Sequence, residues 1–200
     1  ETVVLVTAVM NKNTATGMGY FPLSVEFEER FYATGQILGS RFQRREGRPS
    51  EGAVLSARIV DRTIRPLFNQ ALRNEIQVII TVLSAGEDDP DVLGVIGASL
   101  ALGVSDIPWD GPVGAVRIGK RKGTGEIVIN PTYTERANGL LTYEVLACGQ
   151  NETINMIETA GYEISEAEVV DALQSAVRIN TMIETFQKNI IDEIGKEKPQ

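Results

Sequence analysis

The sequence predicts an α+β domain in which helices pack on one side of a mixed sheet. Three observations carry this expectation. Short apolar or alternating runs give seven strand candidates in the order β-β-α-β-α-β-β-β-β-α. Helix starts with capping chemistry occur at Ser50, Asp89 and Ser165. Regular strand–helix spacing, the mark of a parallel βαβ array, is absent.

Thr2–Met10 is β-branched and apolar and reads as a buried strand. Asn11–Gly19 is a polar loop. Leu23–Glu29 alternates, with Leu23, Val25 and Phe27 on one face, as a half-buried strand does. Ala33–Pro49 holds three Gly, a Pro and a cluster of Arg, and reads as a long loop. Ser50 caps a helix running to about Ile64, with Val54, Leu55 and Ile59 placed to face the core. Arg58, Asp61, Arg62 and Arg65 step along another side of it.

Glu75–Leu83 reads as a strand with Ile76, Val78, Ile80 and Val82 on one side. Asp89 as N-cap, Pro90 at the first helical position and acids in the first turn open the next helix. Its body, Val92–Val104, is apolar nearly all round and predicts a central, closely packed helix. Gly111–Gly119 and Glu126–Asn130 read as strands joined by the basic turn Lys120–Gly125, and Leu140–Ala147 and Thr153–Thr159 as two more. The capping box Ser165–Glu168 opens a helix reaching about Ile194. Residues 1–164 thus read as a core, 165–194 as its C-terminal helix, and the polar tail 195–200 as a linker stub.

Composition narrows the chemistry. Two hundred residues, 42% hydrophobic and 23% charged, suffice for a sizeable core. There is no His, which removes Ser-His-Asp and Cys-His catalysis and His-ligated metals. The single Cys, Cys148, permits neither an internal disulfide nor a Cys-rich zinc site, and its apolar strand suits a buried, inert thiol. Apolar runs are too short for a membrane span. The N-terminus lacks a signal peptide's basic lead and cleavage site, and it opens in an apolar run. The expectation is a piece of a longer protein, cut near a strand, in a cytoplasmic setting.

The formal charge of −8, from 19 basic and 27 acidic residues, argues against a nucleic-acid partner when taken whole. Its distribution argues otherwise. Arg30–Arg73 carries nine Arg and three acids, so the rest of the chain is strongly acidic. All nine cations are Arg, the side chain that binds phosphate through two parallel bonds and stacks on bases. The densest part is Gly39–Glu51, with Arg41, Arg44, Arg45 and Arg48 around Phe42. Arg interleaved with an aromatic suits single-stranded nucleic acid; a salt-bridged loop, with Glu46 and Glu51 as partners, is the other reading. Arg58, Arg62 and Arg65 fit either pairing with Asp61 or an interface. The carboxylates Glu87, Asp88, Asp89 and Asp91 invite a metal, but helix capping accounts for the last two. Gly17–Gly19 and Gly111–Gly114 fit turns and no nucleotide-binding motif.

The stretches Arg44–Glu51 and Ala57–Phe68 resemble polynucleotide phosphorylases. The resemblance extends through Phe21-Pro-Leu23, Glu29-Arg30, Tyr32-Ala33, Asn74–Val78, Asp91, Ile96–Ser99 and Gly111–Ala115, over nearly the whole chain. It implies the first of that family's two ribonuclease-PH-like cores, a fold of the ribosomal-protein-S5 domain 2 type. It implies an enzyme that degrades RNA from the 3′ end by phosphorolysis, with inorganic phosphate as co-substrate and nucleoside diphosphates as products. It further implies a homotrimeric ring threaded by single-stranded RNA, no membrane partner, and Mg2+ or Mn2+ held by the second core. This segment would be non-catalytic, with no metal of its own, and would supply a channel constriction at Phe42, Arg44 and Arg45, with Arg48 beside it and Arg41 added. The family loop reads Gly-Ser-Phe-Phe-Arg-Arg-Glu-Gly. Here Gly39–Gly47 is one residue longer and one aromatic poorer, with Arg41 and Gln43 flanking Phe42. A self-sufficient phosphorolytic domain and a purely structural subunit-contact module are the alternatives.

Overall fold

In a computed structural model of the chain, the strands divide between two sheets. All residues are described except 15, 16, 18, 38, 40–46, 199 and 200. The first sheet has the order β1 (Val3–Thr14), β3 (Asn74–Ser84), β2 (Leu23–Glu29), with β1 antiparallel and β2 parallel to the central β3. The second is antiparallel throughout, in the order β5 (Ile127–Ile129), β4 (Gly114–Arg121), β6 (Leu141–Gln150), β7 (Thr153–Gly161). Helices α1 (Glu51–Ile64) and α2 (Pro90–Val104) lie between the sheets, and α4 (Glu166–Ile194) covers the far face of the second.

The α+β class holds, and the helix α2 explains the layering. A helix apolar on all sides needs cover on all sides. It packs on β1 and β3 below, on β4 above, and on α1 and α4 at its flanks. Gly97 admits Val6 against its backbone, Gly94 admits Phe27, and Gly103 admits Ile191. The main core joins Val78, Ile80, Val95 and Leu102 to Leu146 and Cys148 from the second sheet. The opposite faces of β4 and β6, with Val116, Ile118, Val145 and Ala147, meet Ala172 and Ala176 of α4.

Several local expectations need correction. β1 is not buried on both faces. It is an edge strand, so Val4, Val6, Ala8 and Met10 pack inward while Val3, Leu5 and Val9 are exposed. In α1 the buried stripe is Ala53, Ser56, Ile59, Val60, Thr63 and Ile64; Val54 and Leu55 face outward. The turn of α1 is set by its contacts with α2 and β2, and those favour the stripe containing Ala53 over its bulkier neighbours. A short helix α3 (Tyr133–Ala137) has no counterpart among the expected elements. Its signal was local: Thr132 and Glu135 form a capping box. The helices opened by Ser50, Asp89 and Ser165 begin where their capping chemistry places them.

Candidate functional site

Phe42, Arg41, Arg44 and Arg45 lie outside the described residues. Arg48 is described and exposed. It stands two residues before the Ser50 cap of α1, whose hydroxyl accepts from the Ala53 amide at 2.9 Å and donates to Glu29 Oε2 at 2.7 Å. The C-terminal end of β2 and the start of α1 are thereby tied together beneath Arg48. A cleft of about 870 Å³ opens there, lined among others by Glu28, Arg30, Phe31, Arg48, Ser50 and Tyr133. Arg30 pairs with Glu28 on its wall.

The Arg face of α1 divides. Arg65 is held by both oxygens of Asp61, at 2.5 and 3.0 Å, and donates to the carbonyls of Phe21 and Leu23 at 3.3 and 3.1 Å. Its role is to fasten α1 to the chain entering β2. Arg58 and Arg62 are exposed on the same helix.

Next to the cleft, the N-terminus of α2 carries a buried cluster of charges. Asp89 Oδ1 caps the helix at the Asp91 amide, 2.9 Å away. Its Oδ2 accepts from Arg117 Nε at 2.6 Å and from Arg136 Nη1 at 3.0 Å. Arg117 extends also to Asp91 at 3.4 Å and Glu144 at 3.5 Å, and Arg136 grips Glu144 at 2.6 and 3.1 Å. Arg117 is 3% exposed. The cluster joins α2 to β4, β6 and α3, across the boundary between the two sheets. Burial, then the charge of Asp89, pushes the Asp91 carboxyl up to about 6. Burial and the same carboxylates push the Tyr133 phenol up to about 12, so it is a neutral group on the cleft wall at neutral pH.

The cap reading of Asp89 therefore holds and is extended: the same carboxylate is also an ion-pair partner. Glu87 and Asp88 are exposed. Sequence reasoning missed Arg117, Arg136 and Glu144. One signal was available, since Arg117 is the lone charge in the apolar run Gly114–Gly119. Among the described residues no group of three or more Cys, Asp or Glu is arranged to hold a metal ion. The three carboxylates that do meet are engaged by two guanidinium groups, so they do not fit a divalent cation. Cys148 is buried, and burial pushes its thiol up to about 12, which leaves it unreactive. Among the described residues no helix is long and apolar enough to cross a membrane. What the surface does offer is exposed guanidinium at Arg48, Arg58 and Arg62, suited to an anionic partner.

Similarity to known proteins matches this division into two sheets. Residues 1–108, which hold the first sheet with α1 and α2, match the model of domain 1 of the 3′ exoribonuclease family. Residues 111–179 match that family's domain 2. The chain is 49% identical over 199 residues to a polyribonucleotide nucleotidyltransferase of Thermomicrobium roseum, covering 99% of the chain and 25% of that protein. A polyribonucleotide nucleotidyltransferase of Pseudothermotoga lettingae is 46% identical over 201 residues, 100% of the chain and 28% of the relative. The chain thus spans about a quarter of the length of these curated relatives. Its fold is shared with the crystal structure of rice (Oryza sativa) Rrp46, at a TM-score of 0.74 and 16% identity, over 95% of this chain and 84% of that one. With both halves of the fold matched in order, the chain belongs to the 3′ exoribonuclease family.

Proposed function

We propose that this chain is the first ribonuclease-PH-like core of a polynucleotide phosphorylase and that it binds single-stranded RNA without carrying the phosphorolytic centre. Residues 1–164 form that core and 165–194 its C-terminal helix. The observation that carries the reading is the Arg-rich segment on an acidic chain, with exposed Arg48 of that segment on the rim of the cleft. Arg41, Phe42, Arg44, Arg45 and Arg48 form the RNA contact, with Arg on phosphates and Phe42 offering a stacking face. The engagement of Asp89, Asp91 and Glu144 by Arg117 and Arg136 supports a non-catalytic role, because no carboxylate of that cluster is left to hold a metal. Phosphate, and Mg2+ or Mn2+, act in the second core of the complete enzyme. That enzyme is a cytoplasmic homotrimer with RNA passing along its axis.

The test is the salt dependence of RNA affinity in the intact protein. Each lost phosphate contact lowers the slope of log K against log salt by about 0.7 on a single strand. Neutral replacement of Arg44, Arg45 and Arg48 together should weaken binding and flatten the slope by roughly two. An unchanged slope overturns the reading.

A further inference from the structure

The C-terminal end of α2 is closed by a side chain from far along the sequence. Lys198 Nζ lies 2.9 Å from the carbonyl of Leu102, 3.1 Å from that of Ser105 and 2.7 Å from that of Ile107. An ammonium has three protons and no acceptor capacity, so all three donors are used on backbone oxygens. The neighbouring backbone follows: the Lys196 amide donates to the Val104 carbonyl at 3.1 Å, and the Gly195 amide to Ile191 at 2.7 Å. Ser105 folds the end of the helix into the same arrangement, its hydroxyl donating to Leu102 at 2.8 Å and accepting from the Ile107 amide at 3.2 Å.

The carbonyls of Leu102, Ser105 and Ile107 therefore converge on one point at the negative end of a helix of 15 residues. A helix C-terminus carries about half a negative charge, and its last carbonyls lack partners within the helix. Asp106 and Asp110 add negative potential that favours the ammonium, while partial burial lowers the Lys198 pKa. Convergent carbonyl oxygens are the donor set that holds ammonium and alkali cations in place of their water.

We propose that the carbonyls of Leu102, Ser105 and Ile107 form a cation cage of the ammonium class, and that Lys198 is its resident, latching the segment after α4 onto α2. The cage gives the segment 195–198 a fixed attachment on the helix whose other end carries the Asp89–Arg117 cluster. It makes the latch sensitive to a competing small ammonium, and it makes the ammonium of Lys198 the group on which the latch depends.

The test is hydrogen exchange in the intact protein, read on peptides covering 102–107 and 195–198. Lys198→Met keeps the aliphatic stem and removes the cation. It should speed exchange of the Lys196 and Ile107 amides at least tenfold without changing exchange in β4 and β6. Exchange within twofold of the parent protein overturns the latch. Lys198→Ala opens the cage to solutes. Ethylammonium chloride should then slow exchange at 102–107, whereas tetramethylammonium chloride, which has no N–H to donate, should not. Equal effects of the two salts overturn the cage, because they reduce the Lys198 contact to ionic strength and packing.

Discussion

Arg117 Nε donates to Asp89 Oδ2 at 2.6 Å, with the two side chains 3% and 1% exposed. Asp89 caps α2, which packs against the first sheet, and Arg117 lies in β4 of the second. The bond therefore spans the two matched halves of the fold. It closes a constraint that the apolar layer alone does not supply, since apolar contacts fix distance better than direction.

Removing one member of this pair leaves a buried carboxylate short of its counter-charge, which typically costs about 3–5 kcal/mol. Arg117→Met is expected to lower the free energy of unfolding by that order, because Asp89 is then left with only the single bond from Arg136. Chemical denaturation at pH 7 checks this. A loss below about 1 kcal/mol would show that Arg136 alone compensates.

Asp91 gives the cluster a pH dependence of definite sign. Its carboxyl is raised from 3.8 to about 6, so the folded chain holds this proton more tightly than the unfolded chain. Stability from this group is present below pH 3.8 and is lost as pH rises through about 6. Two units correspond to at most about 3 kcal/mol. Asp91→Asn should therefore gain stability relative to the parent between pH 4 and pH 7. Thermal unfolding of both proteins across that range measures the difference, and parallel curves would refute it.

Glu168 behaves oppositely. The ammonium of Lys120, 2.7 Å away, and the hydroxyl and amide of Ser165 hold its carboxyl down at about 2. This group stabilises the fold above pH 4.5 and loses its contribution as pH falls towards 2. Lys120→Met is expected to raise the Glu168 titration towards that of an ordinary carboxylate, followed by side-chain carboxyl NMR. Ser165→Ala should cost about 1 kcal/mol through the lost cap.

Cys148 tests the core. It is 0% exposed and its thiol is pushed up to about 12, so a thiol reagent at pH 8 should label it only through opening of the fold. Labelling is expected to track unfolding by denaturant. Rapid labelling of the native chain would place Cys148 outside the core.

The amino-acid sequence by itself determined the class of the fold and the starts of its main helices. Ser50, Asp89 and Ser165 announce those starts because capping is a contact within four residues. The alternation in β3 was equally legible, because its even-numbered residues Ile76–Val82 all enter the core. The sequence also displayed the uneven charge that motivates an RNA partner, and Arg48 stands exposed within that run. Only the tertiary structure decided which face of α1 is buried: side-chain hydrophobicity favours Val54 over Ala53, yet packing on α2 and β2 buries Ala53 and leaves Val54 exposed. It alone divided the strands into two sheets, because β3 pairs with β1 and β2, segments far from it in the chain. For the same reason it alone assembled Asp89, Arg117, Arg136 and Glu144, and brought Lys198 onto carbonyls more than ninety residues earlier.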